Sequence, residues 1–118
     1  SYYPSSVKGE RGDTDVQVNW PEFTLWFEEA GEKLPSILSQ RQGGSFVKLG
    51  YTYDFEPGVD GEEGEVTSVK VDEVVDYDSG QKILDPYLIE SFAEYFRDQI
   101  EVDIRRWRKE NSLDEEGM

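Results

Sequence analysis

FVKLGYTYDFEPGVDGEEGEVTSVKVDEVVDY, residues 46–77, decides the fold. In its first part Val47, Leu49, Tyr51, Tyr53 and Phe55 alternate with Lys48, Gly50, Thr52 and Asp54. Side chains of a strand point to opposite faces in turn, so this is a strand with one apolar and one polar face. Pro57, Gly58, Gly61 and Gly64 then break the chain. EVTSVKVDEVVDY follows as a second strand, with Val69, Val71 and Val75 assigned to one side. Two strands joined by a glycine-rich loop form an antiparallel hairpin. A turn at Asp78-Ser79-Gly80 and a brief return strand extend it.

Upstream, Val16, Val18 and Trp20 alternate with Asp15, Gln17 and Asn19, which predicts a short half-buried strand. Residues 1–14, with Pro4, Gly9 and Gly12 among small polar residues, read as an irregular arm. Phe23, Trp26, Phe27 and Ala30 have helical spacing, with Pro21 placed to open the helix and Gly31 to follow its end. Phe23, Leu25 and Phe27 equally suit a strand, but the helix puts Glu22, Glu28 and Glu29 toward solvent, so a helical segment is expected near 21–40. Downstream, Asp85 is a good N-cap and Pro86 suits the first helical turn. Ile89, Phe92, Phe96, Ile100, Ile104 and Trp107 recur every three or four residues, predicting one long helix over about 86–110. Arg105, Arg106, Arg108 and Lys109 gather near its end, where they suit the helix dipole. Residues 111–118 read as a frayed acidic tail. The expectation is a single α+β domain over 1–118, a small and mainly antiparallel sheet packed by the long C-terminal helix.

The 118 residues carry 27 Asp and Glu against 12 Lys and Arg, a net charge of −15. Like-charge repulsion disfavours direct binding to nucleic acid or an anionic membrane and favours a basic protein. There is no Cys and no His, which removes thiolate chemistry and the commonest general base and imidazole metal ligand. No apolar run is long enough to span a bilayer, and no signal peptide is visible, so a cytoplasmic protein is expected. No cofactor motif is present: GEEGE lacks the Lys and Ser/Thr of a phosphate loop, and its charge repels phosphate.

Residues 53–66 hold six carboxylates and neither Lys nor Arg. Neither Asp54, Asp60 nor Asp76 begins an EF-hand loop, because Gly58, Gly64 and Gly80 fall where an oxygen ligand is required. An irregular Ca²⁺ or Mg²⁺ site is the lesser alternative, and no metal ligands are assigned. No carboxylate pair is singled out for catalysis, so a non-enzymatic role is expected. Glu90, Glu94, Asp98 and Glu101 lie at i, i+4, i+8 and i+11, on one face of the expected helix, about 5–6 Å apart where they are neighbours. Together with Asp72, Asp76, Glu62 and Glu63 they form the candidate partner-binding surface, set against the plainer reading of a solvated helix face. Tyr2, Tyr3, Trp20, Trp26, Tyr51, Tyr53, Tyr87, Tyr95 and Trp107 outnumber what such a core hides, which suggests the alternative of a structural or assembly protein that self-associates through aromatics.

GYTYDFEPGVDGEEGEVTSVKVDEVVD followed by LDPYLIESFAEYFRDQIEVDI resembles the small acidic proteins of tailed bacteriophages, over roughly residues 46–107. The resemblance implies action in a host-cell cytoplasm, in host takeover or inhibition of a defence, for which DNA mimicry is one device. It assigns no catalytic residue. The expected function is an acidic, non-enzymatic inhibitor that engages a basic, nucleic-acid-binding host protein.

Overall fold

The computed structural model describes residues 6–62 and 64–111. Along the chain run β1 (Val7–Asn19), α1 (Trp20–Glu29), α2 (Ser36–Ser39), β2 (Gly44–Glu56), β3 (Glu65–Asp76), α3 (Pro86–Tyr95) and α4 (Arg97–Glu110). The strands form one antiparallel sheet in the order β1-β2-β3, with helices supplying the apolar cover. The α+β class expected from the sequence is therefore the observed one.

β2 is central because its alternation is the most complete: Val47, Leu49, Tyr51, Tyr53 and Phe55 are all buried. β1 pairs with it from Val16 opposite Val47 down to Glu10 opposite Tyr53. Thus residues 7–14, expected as an irregular arm, are strand; residues 1–5 lie outside the described residues. This half of β1 has little apolar content of its own, and pairing with β2 holds it extended. Gly9, with φ +65, allows a register shift between Val7 and Glu10, and its N–H donates to Asp54 Oδ1 at 2.9 Å.

β3 carries two bulges. Gly50 pairs with Glu73 but Tyr51 with Val71, so Asp72 is the extra residue; a second shift falls between Asp54 and Phe55. One inserted residue moves every later side chain to the other face. Val66, Val71 and Val74 face the core, with Val69 packed at its edge. Val75, expected beside Val69 and Val71, is not in that core set, whereas Asp76 is buried.

Asn19 caps α1 by accepting from the Glu22 N–H at 3.2 Å, and α2 adds one short turn, so the helical reading of 21–40 holds. Asp85 caps α3 by accepting from the Tyr87 N–H at 2.9 Å. The single helix expected over 86–110 is interrupted: Phe96, at φ −104 and ψ 15, separates α3 from α4. Backbone bonds from Phe96 N to Phe92 O (3.0 Å) and from Ile100 N to Phe96 O (2.9 Å) bridge the break. An aromatic cluster fastens α1 to α3. Phe23 stacks on Phe92 at 4.6 Å between ring centroids, and Trp20 meets both edge-on at 6.1 and 6.2 Å. Burying each such side chain contributes about 1.5–3 kcal/mol. Trp20, Tyr51 and Tyr53 are core residues rather than surface anchors, while Tyr87 and Trp107 remain exposed. Tyr2 and Tyr3 lie outside the described residues, as do 112–118 of the expected acidic tail.

Candidate partner-binding surface

The sheet face away from the helices is laced with charge of both signs. Arg11 meets Asp72 at 2.8 Å across β2. Glu73 lies between Lys82 at 3.0 Å and Lys48 at 3.8 Å, and the Lys82 hydrogen bond holds its carboxyl below the usual range. The Tyr77 hydroxyl donates to Asp15 at 2.8 Å, which raises its pKa. Asp72, assigned to the partner-binding surface, is thus already engaged by a cation of its own sheet.

Asp76 belongs to the interior. It is 3% exposed, and its carboxylate receives both terminal nitrogens of Arg41, Nη1 to Oδ1 at 3.1 Å and Nη2 to Oδ2. The Ser79 hydroxyl at 3.0 Å and the Asp78 N–H at 3.1 Å complete its shell. Burial pushes this carboxyl up, but the bonds from Arg41, Ser79 and Asp78 outweigh burial and hold it below the ordinary aspartate value. Arg41 in turn lies 4.9 Å from the Trp20 ring centroid, stacked on the core. Asp76 fastens the end of the hairpin and is removed from the partner-binding set.

The helices differ. Glu90 and Glu94 on α3 and Asp98 on α4 are exposed. Among the described residues no Lys or Arg nitrogen lies within 4.0 Å of these three. Glu101, the fourth member of the row, is half-buried and bound by Arg97 Nε at 2.7 Å. Glu62 is exposed in the loop between β2 and β3, its N–H donating to Val59 O at 3.0 Å. Glu63 lies outside the described residues.

A second polar cluster, absent from the sequence reading, sits where the start of β1 meets the end of α4. Arg108, grouped by sequence with the cations that suit the helix dipole, is 3% exposed. Its guanidinium lies 4.3 Å from the Phe55 ring centroid and donates to the Tyr53 hydroxyl at 3.1 Å and to Glu10 at 3.4 Å. Trp107, expected on the apolar stripe, is 47% exposed instead. The available signal was spacing: Arg108 follows Ile100 and Ile104 at four-residue steps, and so shares their buried face. Nearby the Tyr51 hydroxyl donates to Asp103 at 2.7 Å. Burial and that bond raise the phenol well above its ordinary range. The cavity here is about 300 Å³, lined by Glu10, Gly12, Tyr51, Tyr53, Ile104 and Trp107.

No protein-family model, curated protein or solved structure matches this chain. Among the described residues no three Asp or Glu side chains converge to hold a metal ion, and no helix is long and apolar enough to cross a membrane. The acids assigned from sequence thus divide. Asp72, Asp76 and Glu101 are engaged by Arg11, Arg41 and Arg97, and Glu90, Glu94, Asp98 and Glu62 face outward.

Proposed function

We propose that this is a non-enzymatic acidic protein of the cytoplasm that captures a basic partner on the α3–α4 face. The observation that carries this reading is the exposed row Glu90, Glu94 and Asp98, with no Lys or Arg nitrogen within 4.0 Å among the described residues, whereas Asp72, Glu73 and Asp76 on the sheet are paired. Side by side, like charges raise the energy of the isolated helix, and a basic surface relieves that repulsion. The partner class it suits best is a nucleic-acid-binding protein, whose Lys and Arg already face anionic ligands. Glu90 and Glu94, four residues apart on α3, are separated by roughly 6 Å of helix rise, against about 3.4 Å per phosphate along one DNA strand, and Asp98 lies beyond the break at Phe96. The row therefore imitates only a short stretch of one strand. Inhibition of a host nucleic-acid-binding protein, the role implied by the likeness to phage proteins, is the use this surface suits.

The test is the triple charge reversal Glu90→Lys, Glu94→Lys and Asp98→Lys, compared with wild type in capture of basic proteins from bacterial lysate. Wild type is expected to retain them at low salt and release them as salt rises, while the reversed protein retains none. Undiminished capture by the triple variant overturns the assignment.

A further inference from the structure

The outer edge of β3 is half covered by its own chain. Asp76 N donates to Gln81 O and Ile83 N to Val74 O, both at 2.9 Å, with Lys82 bridged to Val75. Residues on one face of a strand also share the direction of their backbone groups. Asp76 and Val74 face the core and point N–H and C=O outward to this cover. Val71 and Val69, also on the core side, therefore point theirs outward too, and no strand pairs with them there among the described residues. This stretch is regular: Val71, Lys70, Val69 and Ser68 pair in step with Tyr51, Thr52, Tyr53 and Asp54, between the two bulges. A groove of about 600 Å³ runs beside it against α3, with Val69, Ile89 and Ala93 half-buried along it and with Glu90, Asp72 and one cation, Lys70, also lining it.

We infer that this edge binds an extended basic segment of the partner protein by strand addition, an inference that rests on the acidic capture surface proposed above. The partner segment pairs with the outward groups of Val69 and Val71, and bulges limit the added strand to about four residues. Lys or Arg stems lie over Val69, Ile89 and Ala93, and their charged heads reach Glu90 and then Glu94. Charge selects this occupant over a second copy of the chain. At a net charge of −15, two copies laid edge to edge bring Glu90 and Asp72 toward their own images.

The experiment uses the full chain and a short labelled peptide alternating Lys and Val, read by fluorescence anisotropy and by amide NMR shifts. A second peptide of the same sequence carries N-methyl groups on alternate backbone amides, which removes strand hydrogen bonding and keeps the charge. N-methylation is expected to weaken binding about tenfold or more, the loss of two or three backbone bonds, with shifts centred on Val69 and Val71. Val69→Pro removes one outward donor and leaves the bonds of Ser68 and Lys70 to β2, so it weakens the parent peptide similarly. Ala93→Phe fills the groove without touching the strand and supplies the same readout should the proline variant fail to fold. Equal binding of both peptides, still abolished by Glu90→Lys with Glu94→Lys, overturns strand addition and leaves the acidic capture surface standing. Lysate capture indifferent to those reversals marks failure of the capture surface itself. A concentration-dependent dimer that Val69→Pro dissolves overturns the basic occupant in favour of a second copy.

Discussion

Asp76 and Glu94 are both acids of an acidic chain, yet the molecule uses them in opposite ways. Asp76 is buried beneath Arg41, Ser79 and the Asp78 amide. Glu94 stands in water beside Glu90 and Asp98, where no described Lys or Arg reaches it. Asp72, Glu73 and Asp76 hold local structure together and are engaged by cations of their own chain. Glu90, Glu94 and Asp98 meet no Lys or Arg within 4.0 Å among the described residues, so their charge remains available to another molecule. Net charge alone therefore says little about binding; what matters is which acids the fold leaves without a cation.

The strongest way to break this contrast is Asp76→Ala. It leaves the Arg41 guanidinium, 18% exposed, without its carboxylate, and is expected to cost about 3 kcal/mol in urea unfolding. A loss below about 0.5 kcal/mol would show that Asp76 is as dispensable as a surface acid. The same group gives a pH signature. Its folded pKa lies below the ordinary aspartate value, so its contribution is fully present above about pH 4 and disappears as pH falls through the lowered value. Stability measured from neutral to acid pH should fall less steeply over that window in Asp76→Ala than in wild type. Next is Gly12→Ala. A Cβ there meets the Tyr51 ring at 2.8–2.9 Å, so the ring must move off Asp103, at about 1–3 kcal/mol. A smaller loss, about 0–1 kcal/mol, is expected for Arg11→Ala, whose side chain is 66% exposed in its pair with Asp72. The smallest change is expected for Glu90→Gln with Glu94→Gln. Relief of like-charge repulsion leaves thermal stability equal or higher by a few tenths, about 0.2–0.5 kcal/mol, while partner capture declines. A clear loss of stability in that last variant would erase the distinction between the two sets of acids.

How much of this was legible in the sequence depends on how local the cause is. The alternation of Val47 to Phe55 and the cap at Asp85 act within a few residues, and sequence reading places them well, whereas Asn19, read as a strand residue, caps α1. The strand over residues 7–14 was missed because what holds it lies far away. Tyr51 packs against Gly12, Arg108 binds Glu10, and β2 supplies the ladder. Asp76 was misplaced by a single residue: simple alternation from Val69 and Val71 carries Val75 inward, but the bulge at Asp72 reverses the phase and turns Val74 and Asp76 inward. Likewise the exposed positions of Glu90, Glu94 and Asp98 follow from helical spacing, whereas the cations that engage Asp72 and Glu101 depend on side-chain placement. The edge of β3 was invisible because strand order is not written in the local pattern.

The bond from Arg108 to Glu10 joins residues 98 apart in sequence. During synthesis, the first half of β1 leaves the ribosome long before its guanidinium anchor exists. The hairpin of β2 and β3 can close early, whereas that first half, though it pairs with β2, gains its bond to Arg108 only once α4 has emerged. Seating of β1 is thus expected to come late, and a nascent chain stalled before Arg108 should expose it to proteases.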